Sequence, residues 1–233
     1  MNFRAITASV AVPALCLASL SLAACGSNDE PYKAAPAWTG RKPNLPSPPQ
    51  IAITIKNGES YTVAGVSHHL RSRIHEKDVS KKELSIEGYI VESNIPAAPA
   101  CALHPVGKKD PENCKTEIPS FFIADTKDGK GGRIRVLGFA RNFAVVYEAM
   151  KKYKTLKEAP KDKDVIKDDQ WNVELPYPLP AVGAKVRVTG TYGFASEKAS
   201  GLVTDPANGV MTYKKIDVLE PAPEPASFQN VKL

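Results

Sequence analysis

The order in which hydrophobic periodicity changes along this chain is its strongest constraint on folding. Leu84-Ser-Ile-Glu-Gly-Tyr-Ile-Val91, Phe121-Phe-Ile-Ala-Asp-Thr126 and Arg133-Ile-Arg-Val-Leu-Gly-Phe139 read as strands. Residues 141–157 then place Phe143, Val146, Met150 and Tyr153 at helical spacing, with Lys and Glu between them. Lys185-Val-Arg-Val-Thr-Gly-Thr-Tyr192 and residues 210–219 return to the strand pattern. A strand sends alternate side chains to opposite faces, whereas a helix collects them on one stripe. The chain is therefore committed to three strands, one helix and two strands. A loop over 93–119, with five prolines, separates the first two strands, and a Gly-rich turn over 127–132 separates the next two.

That order is the order of the OB-fold, a five-stranded Greek-key barrel with a helix between strands three and four. The local patterns resemble OB-folds of the anticodon-binding and helicase type over about 83–220. There a first strand with a mid-strand Gly precedes an "F-x-I-x-D" strand and a "V-G-x-x-V-x-V-x-G" strand. Here these are Gly88, Phe121-Phe122-Ile123-Ala124-Asp125 and Val182-Gly183-Ala184-Lys185-Val186-Arg187-Val188-Thr189-Gly190. The first barrel strand must bend sharply to pair on both sides, and Gly88 permits that. The fold expected is mainly β, an OB-fold-like barrel with a short N-terminal hairpin and helix. Alternating Ile51, Ile53 and Ile55, Asn57-Gly58, then Tyr61 and Val63 predict the hairpin. Val66, Leu70 and Ile74 at spacing four predict a helix near 65–74.

The N-terminus carries Arg4, an apolar stretch from Ala5 to Leu22 and no acid before Asp29, the layout of a secretory leader. Leu22-Ala23-Ala24-Cys25-Gly26 resembles the lipobox of bacterial lipoproteins. The resemblance implies a lipid-modified, acylated Cys25 as the mature N-terminus. Gly26 in place of Asp implies the outer membrane. Cys16 leaves with the leader and Cys25 takes the lipid, so Cys101 and Cys114 remain. In an oxidising compartment an even pair reads as one disulfide. The alternative is a zinc set of Cys101, His104 and Cys114, which lacks a fourth ligand. The divisions expected are a leader (1–24), a lipidated Pro-rich tether (25–50), the hairpin and helix (51–82), the barrel (83–220) and a disordered tail (221–233).

No nucleophile elbow, P-loop, dinucleotide fingerprint or zincin pair occurs. Asp125-Thr-Lys-Asp-Gly-Lys-Gly-Gly132 lacks the acid spacing of a calcium loop and reads as a hairpin turn. His68-His69, beside Arg71 and Arg73, reads as a solvated helix face. The expectation is a binding module without catalysis, metal or cofactor. OB-folds bind across strands two and three. If Ile134 and Val136 face the core, Arg133 and Arg135 face outward, together with Phe122 and Tyr89. Two Arg beside two aromatics suit a protein, peptide or glycan of the envelope. Single-stranded nucleic acid ranks second, because the net charge of +6 falls to about +4 over 51–220 once Arg4 and the flanking segments are set aside, a small electrostatic drive. An enzyme with an unrecognised site is the third reading.

Overall fold

The computed structural model describes Gly40 and residues 52–156, 161, 165–198 and 202–231. The leader, Cys25 and nearly all of the tether lie outside the described residues. The five expected strands are present: β1 (Lys82–Ser93), β2 (Ser120–Ala124), β3 (Arg133–Leu137), β4 (Lys185–Gly193) and β5 (Val210–Glu220). β1 pairs antiparallel with β2, β2 antiparallel with β3, β3 parallel with β5, β5 antiparallel with β4, and β4 antiparallel with β1. The ring of pairings closes, so this is a five-stranded OB-fold-like barrel.

Closure makes β1 serve two neighbours. Lys82 to Tyr89 pair with β4, while Tyr89 to Ser93 pair with β2. Gly88 sits at this changeover, and a Cβ there would stand 2.9 Å from the Ala124 carbonyl oxygen. Gly190 is tighter still: a Cβ would lie 2.1 Å from the Thr212 oxygen, beside the bulge where β5 skips Lys214. Backbone approaches that close admit only glycine.

Inward positions along the strands form one core. Ile86, Ile90, Phe121, Ile123, Ile134, Val136, Val186, Val188 and Met211 are buried. Helix α2 (Phe143–Thr155) adds Phe143, Val146, Met150 and Tyr153 to the same cluster, as its periodicity requires. Its N-cap Asn142 accepts a hydrogen bond from the Val145 N–H at 3.1 Å. The connection after α2 is anchored by Asp168, whose side chain is buried. Its carboxylate accepts from the N–H groups of Arg141, Gln170 and Trp171 at 2.8–3.1 Å.

The N-terminal elements differ from expectation in detail. The hairpin pairs only Lys56–Asn57 with Ser60–Thr62 around the Gly58-Glu59 turn, and residues 52–55 are not strand. Ser60–Thr62 instead extends β1 in parallel, with Tyr61 opposite Ile86. Helix α1 (Val63–Arg71) starts earlier than predicted, because two acceptors cap it. The Thr62 hydroxyl accepts from Gly65 N–H at 2.9 Å, and Asp125 accepts from Val63 and Ala64 N–H at 2.7 and 2.8 Å. The final residue of the F-x-I-x-D pattern thus places a carboxylate on the positive end of α1. Val66 and Leu70 are buried as expected, but the helix ends at Arg71 and Ile74 is 72% exposed.

The expected disordered tail is corrected. Phe228 is buried in the core cluster and faces the Tyr147 ring at 6.2 Å. Gln229 N–H donates to the Pro96 oxygen at 3.0 Å, and Asn230 donates to the Ala98 oxygen at 2.9 Å. The tail's Pro-rich composition hid this anchor. One buried aromatic ring and hydrogen bonds to the 93–119 loop hold the segment against its chain entropy.

Candidate binding surface on the barrel

Cys101 and Cys114 are joined, with Cα atoms 5.9 Å apart, so the zinc set with His104 does not form. His104 instead bonds to Asp110 at 2.7 Å and to the Pro105 carbonyl at 3.0 Å. Those two acceptors, the carbonyl first, hold its pKa above the ordinary 6.5. Asn94 closes the neck of the loop, donating to the Ile118 oxygen at 2.7 Å and accepting from Ser120 N–H at 2.8 Å. The loop is tied to α2 by the Val106 N–H, which donates to Glu148 at 2.8 Å. It is therefore a braced rim beside β1 and β2.

Beside that rim lies the outer face of β1, β2 and β3. Ile134 and Val136 are fully buried, so Arg133 and Arg135 point outward, as alternation predicts. Phe122 is directly opposite Arg135 on one side and Glu92 on the other, so these three form a row across three strands. The guanidinium of Arg133 lies 4.8 Å from the Phe122 ring centre and that of Arg135 5.9 Å. Arg133 bonds to Glu92 at 2.6 Å. Arg135 bonds to Glu117 at 2.9 Å and to the Ser120 hydroxyl at 3.1 Å. Three of the four candidate residues thus form one cluster.

Tyr89 belongs to a second cluster. The ammonium groups of Lys127 and Lys185 lie 5.1 and 5.6 Å from its ring centre. Both lysines pair with Glu220, at 3.7 and 3.8 Å. Every cation that covers an aromatic ring on this face is therefore also matched to a carboxylate.

The carboxylates were not legible as site residues. Simple alternation places Glu92 on the inner side with Ile86 and Ile90. A register shift between Ile90 and Glu92 makes Val91 the extra residue and turns Glu92 outward. Glu220 faces Lys185 across the β4–β5 pair and reaches Lys127, in the β2–β3 turn, from a distant part of the chain. Phe194 and Leu202, in the β4–β5 connection, are exposed apolar side chains.

Two further features lie outside this face. An apolar cleft of about 740 Å³ is walled by Met150, Tyr153, Tyr177, Leu179 and the tail residue Phe228. His69 on α1, His75 in the turn after it and Asp78 in the short helix Glu76–Val79 form a group of metal-ligating type.

No protein-family model and no curated protein sequence matches this chain. Among solved structures it is similar to a crystal structure assigned as an aspartyl-tRNA synthetase from Leishmania major Friedlin, at 13% identity and a TM-score of 0.33. The similarity covers 79% of this chain and 24% of that one, so the chain spans about a quarter of that protein's length. The barrel is established by the strand pairing itself.

Proposed function

We propose that this protein is a lipid-tethered, non-catalytic binding module of the cell envelope that holds a peptide or glycan segment of a partner across β1–β3. The observation that carries the reading is the charge matching around Phe122 and Tyr89. Arg133, Arg135, Lys127 and Lys185 offer aromatic-backed donors, while Glu92, Glu117 and Glu220 neutralise most of their charge. Such a surface presents flat apolar rings framed by both donors and acceptors. It fits a partner with mixed polarity, and specificity comes from the rings and the hydrogen-bond pattern. The disulfide-braced rim keeps the surface preorganised, which lowers the ordering cost of binding.

The OB architecture also serves single-stranded nucleic acid, through stacking rings and an unneutralised basic groove. The rings are here, but the cations are spent on carboxylates, so the nucleic-acid reading ranks second. Anchorage rests on the lipobox resemblance at Cys25. Among the described residues no helix is long and apolar enough to cross a membrane.

Immobilised full-length protein and its Phe122→Ala variant, incubated with envelope extract, test the reading. We expect a defined partner that Phe122→Ala loses and whose affinity changes little between 50 and 200 mM salt. A phosphate-tracking ligand would lose orders of magnitude over that interval. Binding of a single-stranded oligonucleotide with that steep salt dependence would overturn the peptide and glycan assignment. For the anchor, Cys25→Ala should leave the membrane fraction or retain its leader. Unchanged partition and mature mass would refute it.

A further inference from the structure

Helix α1, the turn that follows it and the short helix Glu76–Val79 carry a cluster that the barrel surface does not use. One ligand atom each from His69, His75 and Asp78 lies within 4.8 Å of the others. The His69 and His75 rings are stacked, with centres 4.6 Å apart and planes 18° apart. His75 Nδ1 lies 3.4 Å from an Asp78 carboxylate oxygen. Among the described residues, His69 Nδ1 is the one buried side-chain polar atom without a hydrogen-bond partner. A buried ring nitrogen left open in this way calls for a partner that the protein itself does not supply.

We propose that His69, His75 and Asp78 bind one divalent transition-metal cation of the zinc class. The spacing, His-x5-His-x2-Asp, holds all three ligands within a ten-residue segment. Two imidazoles and one carboxylate are a donor set suited to zinc and poorly suited to magnesium or calcium, which favour all-oxygen shells. Tetrahedral zinc at its usual bond lengths needs ligand atoms about 3.4 Å apart. The cluster must therefore tighten, and His75 must swing out of its stack on His69, because stacked rings aim their in-plane lone pairs in parallel rather than at one point. His75 and Asp78 are exposed and can rotate to do so, whereas His69 is held by the helix. Three protein ligands leave a fourth position for water or for a group from a partner. His68, Tyr61 and Lys56 also lie around His69; the Lys56 ammonium sits 4.4 Å from the Tyr61 ring centre and opposes a cation at His69.

Calorimetric titration of the full, tag-free chain, stripped with chelator, tests the site with zinc chloride alone. We expect one equivalent bound, no heat from magnesium or calcium, and a Tm that rises with zinc. His75→Ala and Asp78→Asn change exposed side chains, so both variants should fold. Each should weaken zinc binding at least about tenfold and abolish the rise in Tm. His104→Ala should leave both unchanged. Absence of binding in the parent, an unaltered affinity in either ligand variant, or loss of binding in His104→Ala would overturn the assignment.

Discussion

Replacing Ile134 with Ala separates the packing role of β3 from its proposed binding role. Ile134 is 0% exposed and pairs with Ile123, also 0% exposed. The substitution strips three carbons, a transfer loss of about 2.4 kcal/mol at roughly 0.8 kcal/mol per methylene. The vacated space, on the order of 80 Å³, adds up to about 2 kcal/mol if the surroundings stay rigid. Neighbouring strands relax partly, so we expect a loss of about 3–4 kcal/mol. Urea unfolding followed by circular dichroism reads this directly. With a slope of about 2 kcal/mol per molar, the midpoint should fall by about 1.5–2 M. The contrasting variant is Arg133→Ala with Arg135→Ala. The Arg133–Glu92 pair is half-exposed on both sides and Arg135 meets an exposed Glu117, so screening keeps the pairs weak. The double variant should lose only about 1 kcal/mol while losing partner binding. A larger stability loss in the double Arg variant than in Ile134→Ala would refute both the facing of β3 and the surface built on it.

Asp125→Ala removes the acceptor for two N–H groups at the start of α1. It should cost about 1–2 kcal/mol, measured as a shift in urea midpoint, and an unchanged midpoint would remove Asp125 from its capping role. Reduction of Cys101–Cys114 should cost about 3 kcal/mol in the chain-entropy account, and free-thiol labelling of both residues without reductant would refute the bridge. The histidines should titrate in opposite directions by NMR, His104 above 6.5 and His69 below it, because desolvation and then His75 disfavour the His69 cation. The signs for stability differ accordingly. The contribution of His104 is complete below pH 6.5 and is lost as pH rises through its folded pKa. That of His69 is complete above 6.5 and is lost as pH falls through its folded pKa. A His104 midpoint at or below 6.5 would contradict its environment, and a His69 midpoint at or above 6.5 would contradict its own.

Strand positions, their order, the single helix between β3 and β4, and the disulfide were all legible in the residues. Each depends on near neighbours along the chain: alternation for Ile134 and Val136, 3.6-residue spacing for Val146 and Met150, and a leftover even pair for Cys101 and Cys114. The outward facing of Arg133, Arg135 and Phe122 follows from the same local rule. What local pattern misread depends on partners far along the chain. Residues 51–55 alternate like a strand, yet pairing passes to Ser60–Thr62, because β1 offers its edge there. Asp125 looks like part of a turn until α1 brings its N–H groups to that carboxylate. Glu92 changes sides at a bulge, and Glu220 meets Lys185 through the β4–β5 register and Lys127 only when the β2–β3 turn is brought beside that pair. Phe228 lies in a segment whose composition reads as unstructured, but burying one ring against Tyr147 orders it. The His69–His75 stack, likewise, exists because α1 ends at Arg71 and the turn folds back over it. Periodicity is a property of the backbone's own geometry, so it survives in a linear string of residues. Ion pairs, caps and docked tails depend on which distant surfaces meet, and closure of the barrel determines that.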